Sequence, residues 1–308
     1  MTVRYRNLVY DSARWEGFAF RDGDIVISTP PKSGTTWTQM LVALLVFDAT
    51  EFDRPLALIS PWLDMSTRRL DSVLADLDAQ THRRFIKTHT PLDGVPFDER
   101  VTYVCVGRDP RDAGLSMDHH LSNMNFDVLL AMRAESVGME DLDELGGPPE
   151  APSNDPVERF WRWTMAEDFR GLARTLTHIE TFWDRRDLAN VALFHYSDYK
   201  ADLPGQLARL AEVLGIDRPR RRIEELAGAA SFASMKARAT ELAPNADIGL
   251  WHSPEGFFHR GVSGQWRELL NDDDVARYQA RVAELVAPDV AEWAHAGWLS
   301  STSADLPA

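Results

Sequence analysis

The chain reads as an α/β protein, with a central, mostly parallel sheet flanked by helices on both faces, in one domain spanning 1–308. Three observations point there. Strand-like runs alternate with helix-like ones, the pattern of successive βαβ units. The first strand-like run feeds through Pro30-Pro31-Lys32-Ser33-Gly34-Thr35-Thr36-Trp37 into an apolar helix. And 308 residues are enough to bury a substantial core.

Apolar runs bounded by turn residues predict strands over 25–29, 84–87, 101–106 and 190–195. Helices are expected over 34–47, over 110–122 opening at Pro110, over 156–183 with a break, and over 203–214. In the last of these, Leu207, Leu210, Ala211 and Leu214 recur at helical spacing, as do Val275, Tyr278, Val282 and Leu285 further on. Two stretches depart from the pattern. Residues 125–156 are acidic (Glu140, Asp141, Asp143, Glu144) and then rich in Gly and Pro, so they are expected to leave the sheet as a lid or surface loop. Residues 239–266 hold Pro244, Gly249, Pro254, Gly256, Gly261 and Gly264, and form a second long loop; such loops in a compact domain tend to carry function.

Composition excludes several function classes. Lys+Arg 33 against Asp+Glu 48 gives a net charge of −15, a field that repels polyanions, so no nucleic acid partner is expected. The single Cys105 cannot form an internal disulfide and, within Tyr103-Val104-Cys105-Val106, is expected to be a core packer. No apolar stretch reaches the roughly 18 residues of a spanning helix, so no transmembrane segment is expected. Met1-Thr2-Val3-Arg4-Tyr5-Arg6 lacks the apolar region of a secretion signal, which makes the expected location cytoplasmic.

Three clusters carry chemistry, each after a strand. The first is the loop at Lys32, with one lysine, one glycine and three hydroxyls opening a helix whose first N–H groups have no partner within the helix. Standing alone it could be a helix cap; between a buried strand and an apolar helix it is an anion site. It differs from a Walker A loop because Lys32 precedes Ser33-Gly34. The second is Lys87-Thr88-His89, a fixed cation and a titratable base at a strand end, where open α/β sheets place ligands. The third is Arg108, at the end of 101–106, with Ser116 eight residues on; Arg108 could bind a phosphate through two bonds or pair with Asp109 or Asp112. His119-His120 does not make a metal site, since adjacent helical residues point apart. No metal is expected.

In this order the three clusters resemble the cytosolic sulfotransferase family. Lys32-Ser33-Gly34-Thr35-Thr36-Trp37 is similar to its 5′-phosphosulfate loop, Lys87-Thr88-His89 to its Lys-x-His strand end, and Arg108 with Ser116 to its 3′-phosphate pair. Arg260-Gly261-Val262-Ser263-Gly264-Gln265-Trp266-Arg267 resembles its Arg-Lys-Gly-x-x-Gly-Asp-Trp-Lys segment, with His259-Arg260 where the family has a basic pair. The resemblance implies a P-loop-like sulfotransferase fold and transfer of a sulfuryl group from 3′-phosphoadenosine 5′-phosphosulfate (PAPS), leaving adenosine 3′,5′-bisphosphate (PAP). The acceptor is a hydroxyl or amine of a small molecule, lipid or glycolipid. It further implies that Lys32, Ser33, Gly34, Thr35 and Thr36 grip the 5′-phosphosulfate. Trp37, Tyr196 and Phe232 would surround the adenine, and Arg108, Ser116, His259, Arg260 and Gly261 would hold the 3′-phosphate. His89 is then the general base, with Lys32 and Lys87 meeting the charge on the leaving oxygen. Under this resemblance 125–156 and 239–266 cover the acceptor, the latter also the nucleotide. The family's dimer segment has no match over 268–275, so oligomeric state does not carry over. Two rivals stand beside it: a metal-dependent nucleotide or small-molecule kinase with an atypical loop, and a nucleotide-binding module without catalysis. The module has no need of a base at His89.

Overall fold

In the computed structural model, residues 3–145, 153–168, 170–258 and 260–300 are described. Their centre is a four-stranded parallel sheet: β1 (Ile25–Ser28), β2 (Phe85–Thr88), β3 (Thr102–Gly107) and β4 (Val191–His195), in the order β2-β1-β3-β4. All four strands lie where the apolar runs predicted them. Strand alternation assigns side chains to two cores. Ile25, Ile27, Phe85, Val104, Val106 and Phe194 enter one; Val26, Ile86, Tyr103, Cys105, Val191 and Leu193 enter the other. Each such aliphatic side chain contributes about 1.5–3 kcal/mol by leaving water. The sheet is therefore covered on both faces, as parallel sheets require.

The helix α1 (Thr35–Phe47) follows β1 and is apolar all round, the mark of a fully buried helix; Leu41, Leu44 and Leu45 have no exposed surface. It packs in the first core. The helix Pro110–Ser122 follows β3, with Asp109 as its cap accepting from the Arg111 N–H at 3.0 Å and Pro110 at its first position. It packs against Pro156–Met165 and Leu172–Trp183, helices of the other core. Chain paths leaving β1 and β3 thus diverge to opposite faces, which opens a crevice beyond their C-terminal ends. The break expected within 156–183 falls between those two helices, and 203–214 appears as Leu203–Val213.

One expectation needs correction. The stretch 125–156 is not irregular at its start: Phe126–Val137 is a helix, capped by the Asn125 side chain and ended by Gly138 at φ 81°. The Gly/Pro-rich part at 146–152 lies outside the described residues. The helix also belongs with the second long loop. Asn125 N–H donates to the Leu250 carbonyl at 2.8 Å and His252 N–H to that of Asn123 at 2.9 Å, while Leu129 shares a small apolar cluster with Ala243, Leu250 and Trp251. The two stretches form one cover. No helix among the described residues is long and apolar enough to cross a membrane.

Candidate active site

The crevice opens into a cavity of about 1730 Å³. On one side is the loop joining β1 to α1. Lys32 takes a left-handed backbone (φ 66°) and so does Gly34 (φ 104°), where an added Cβ would sit 3.2 Å from the Tyr196 ring. These two turns set the amides that open α1 into a concave arrangement; the first helical bond downstream is Thr38 N–H to the Gly34 carbonyl, 3.0 Å. Thr35 is tied to Thr29 through their hydroxyls at 2.5 Å. Ser33 is fully buried, yet among the described residues its Oγ has no partner. A buried hydroxyl left unsatisfied is costly, so an oxygen-rich ligand fits there.

The Lys32 ammonium lies 3.1 Å from Nδ1 of His120 and 5.1 Å from the centre of the Phe257 ring. Burial first, then the charges of Arg108 and Lys87, bring its pKa down to about 7. Lys87, from the end of β2, lies with its ammonium 4.4 Å over the Trp62 ring, and burial lowers it to about 8. Both cations are held in a positive well that an anion would stabilise.

His89 sits one residue past β2. Its Nδ1 is 2.7 Å from the Thr29 carbonyl, so Nδ1–H donates and Nε2 carries the free lone pair. Burial, then the charge of Lys87, pushes its pKa well below the ordinary histidine value. The imidazole is therefore neutral at physiological pH, the state a base requires; a bound anion would raise its basicity. The Trp62 ring stands perpendicular to it, 4.7 Å away between centroids.

Arg108 does not take the ion pair with Asp109 or Asp112 that the sequence leaves open. Among the described residues it meets no carboxylate. It donates instead to the Lys32 carbonyl at 3.0 Å and the Val262 carbonyl at 3.5 Å, and its guanidinium lies 4.5 Å over the Tyr196 ring with Nε unpartnered. Asp109 pairs with Arg111, and Asp112 accepts from the Gly264 and Gln265 amides, which fastens the second loop beside Arg108. Trp37 packs edge-on against Tyr196, and the Phe232 ring presses so close to Gly261 (φ 64°) that a Cβ would lie 2.4 Å from it. Ser116 lines the same cavity; Arg260 stands at its rim, exposed, 3.7 Å from Glu268. His259 lies outside the described residues. Of the residues expected to bind or react, Lys32, Gly34, Thr35, Thr36, Trp37, Lys87, His89, Arg108, Ser116, Tyr196, Phe232, Arg260 and Gly261 all line this one cavity, with Ser33 just behind it.

Other lining residues were given no role in the sequence: His120, Phe257 and the N-terminal segment around Tyr5 and Tyr10. Only His120 carried a signal, as half of a histidine pair. Its ring accepts from Lys32, and burial followed by the Lys32 charge keeps it neutral.

A sulfotransferase-domain family model matches residues 22–288. The chain belongs to the sulfotransferase family. A glycolipid sulfotransferase of Mycobacterium bovis is 47% identical over 96% of this sulfotransferase and 94% of its own length. One from Mycobacterium tuberculosis is 48% identical over the same shares. Among solved structures, a retinol dehydratase in complex with androsterone and the inactive cofactor PAP superposes with a TM-score of 0.70 at 22% identity, covering 91% of this chain and 89% of that one. A mouse sulfotransferase complexed with PAP gives 0.66 at 19% identity and 92% of each chain. Both share the fold described above. The kinase alternative finds no support in these matches.

Proposed function

We propose that this sulfotransferase moves the sulfuryl group of PAPS to a hydroxyl of a glycolipid, by in-line transfer with His89 as general base. The observation that carries this is the meeting of three strand-end clusters in one cavity, with the cations Lys32, Lys87 and Arg108 all among its lining. PAPS, when bound, supplies the activated sulfuryl group. The chain does the rest. Amides at the start of α1, with Lys32 and the Thr35 and Thr36 hydroxyls, hold the 5′ end. Arg108, Ser116, Arg260 and Gly261 take the 3′-phosphate, and Trp37, Tyr196 and Phe232 enclose the base. His89 Nε2 accepts the acceptor's proton as the oxygen attacks, and Lys32 and Lys87 neutralise charge on the departing oxygen, so positioning and electrostatics supply most of the acceleration.

A glycolipid is favoured by the mycobacterial relatives and by the cavity's other arm, where Tyr10, Trp62, Met117, Leu130, Trp251 and Phe257 offer an apolar and aromatic lining. The cover made by the helix Phe126–Val137 and residues 239–258 encloses that arm and acts as the acceptor lid. A reducing compartment such as the cytoplasm suits the single, fully buried Cys105.

Incubation with sulfur-labelled PAPS and a panel of glycolipids, phenols and steroids, without metal, tests both levels. Label in the glycolipids is expected. Label confined to phenols or steroids contradicts the acceptor class. No label anywhere, with phosphorylation from ATP–Mg²⁺, contradicts the reaction.

A further inference from the structure

Asp64 has no exposed surface, and four donors converge on its carboxylate. Trp62 Nε1 donates to Oδ1 at 2.6 Å; Trp15 Nε1, Thr88 Oγ1 and Thr90 Oγ1 donate to Oδ2 at 2.9, 2.7 and 2.6 Å. Two of these donors flank His89 in the chain, and a third belongs to the ring that touches both His89 and Lys87. The segment carrying Trp62 and Asp64 runs along β2, with Lys87 N–H donating to the Pro61 carbonyl at 2.9 Å. Resting on the sulfuryl-transfer reading, we propose that Asp64 is the positioning residue of the catalytic strand end: it fixes Thr88 and Thr90 on either side of His89 and holds the Trp62 ring as a wall between the base and Lys87.

The chemistry of the bonds makes this specific. Both indole N–H groups can only donate, so both carboxylate oxygens must accept. An asparagine at 64 has one such oxygen. Turned to keep the Trp15, Thr88 and Thr90 bonds, its amide N–H₂ meets the Trp62 N–H donor to donor. The Trp62 tie is therefore the one that breaks. Asp64 also raises the pKa of Lys87 through its charge. Among the described residues, Lys32, His89 and His120 also feel the charge of Lys87, and none of them supplies a negative charge.

Steady-state kinetics and PAP binding on wild type, Asp64→Asn, Trp62→Phe and the double variant test the proposal. Losing an outer partner of this kind costs about 10–100-fold, here expected in kcat for Asp64→Asn with the Kd for PAP held within about twofold. The alkaline limb of the kcat–pH profile moves to lower pH, because Lys87 loses its proton earlier. Trp62→Phe keeps a ring but not the N–H, and in the double variant its effect is not additive with Asp64→Asn. A carboxylate retained for folding alone would lower Tm but leave kcat and the alkaline limb in place. That result, or full additivity, overturns the proposal. Where Asp64→Asn does not fold, Trp62→Phe decides alone: an unchanged kcat sinks the idea, and a lowered kcat with intact PAP binding supports it. A wild-type protein with no sulfuryl transfer at all would instead mark failure of the underlying reaction.

Discussion

The two ends of the cavity are built differently. At the proposed nucleotide end the lining is local in sequence: the loop Lys32–Trp37 offers its backbone amides, and the ends of β2 and β3 each deliver side chains within three residues of the strand. The acceptor arm is assembled from separated segments, with Tyr5 and Tyr10 from near the N-terminus, Trp62, Met117, the helix Phe126–Val137, and Trp251 and Phe257. One end is a rigid cradle fastened to the sheet; the other is a cover fastened mainly to itself through the Asn125–Leu250 and Asn123–His252 bonds. A shared co-substrate demands the first design, and changing acceptors tolerates the second.

The sharpest way to separate the two ends is at His89, which faces both. His89→Ala should lower turnover by about 10²–10⁴-fold, the usual contribution of a general base, while PAP still raises the melting temperature as in wild type. Full turnover in the folded variant removes His89 from the mechanism.

Changes in the cradle should weaken nucleotide binding whatever the acceptor. Arg108→Ala removes the guanidinium that bridges the Lys32 and Val262 carbonyls. Bonds to charged groups are worth about 1.5–3 kcal/mol, so roughly a 10–150-fold rise in Kd for PAP is expected by calorimetry. A variant that binds PAP normally would return Arg108 to the scaffold.

The pH dependence belongs to the same end. Burial and neighbouring cations disfavour the charge of Lys32 and bring its pKa down to about 7. A bound phosphosulfate or PAP favours the protonated form, so binding takes up a proton above that pH. Affinity for PAP should be flat below pH 7, then fall by up to about tenfold per pH unit until the raised pKa of the complex is passed. Calorimetry at pH 8 in buffers of differing ionisation enthalpy reports the uptake directly; a proton count of zero contradicts the account.

The smallest effect is expected in the cover. Leu130 lines the acceptor arm. At about 0.8 kcal/mol per buried CH₂, with roughly two of the three lost carbons counted as buried because Leu130 is half-buried, its truncation to Ala should raise the acceptor KM by roughly tenfold and leave PAP affinity unchanged. A matching loss of PAP affinity would show that the two ends are not separable.

The same division governs what the sequence made legible. The four strands stood out because each is buried on both faces, so its residues form a nearly continuous apolar run. The cradle stood out because Gly34, Lys32 and the hydroxyls must be adjacent in the chain to present one helix's amides. For Arg108 the sequence leaves two roles open, and the geometry removes the ion pair by giving its guanidinium carbonyl partners and a tyrosine face. The helix Phe126–Val137 was read as loop because the Gly/Pro-rich residues after it dominated the composition, although Asn125 and Gly138 mark its ends. Asp64 had no local signature, Trp62 was one tryptophan among ten, and His120 was only half of a histidine pair. Their importance comes from partners far along the chain, such as Lys32 for His120 and Thr90 for Asp64.

The claim on which the rest stands is that the turn at Lys32 and the side chains at Arg108 together hold a nucleotide bearing phosphates at both ends. Titrating the protein with PAP, 5′-AMP and ATP, each with and without Mg²⁺, tests it most directly. PAP should bind without metal and at least about tenfold more tightly than 5′-AMP, the difference being the charge-assisted bonds to its 3′-phosphate. Equal affinity for 5′-AMP, or binding only of ATP with Mg²⁺, would contradict it.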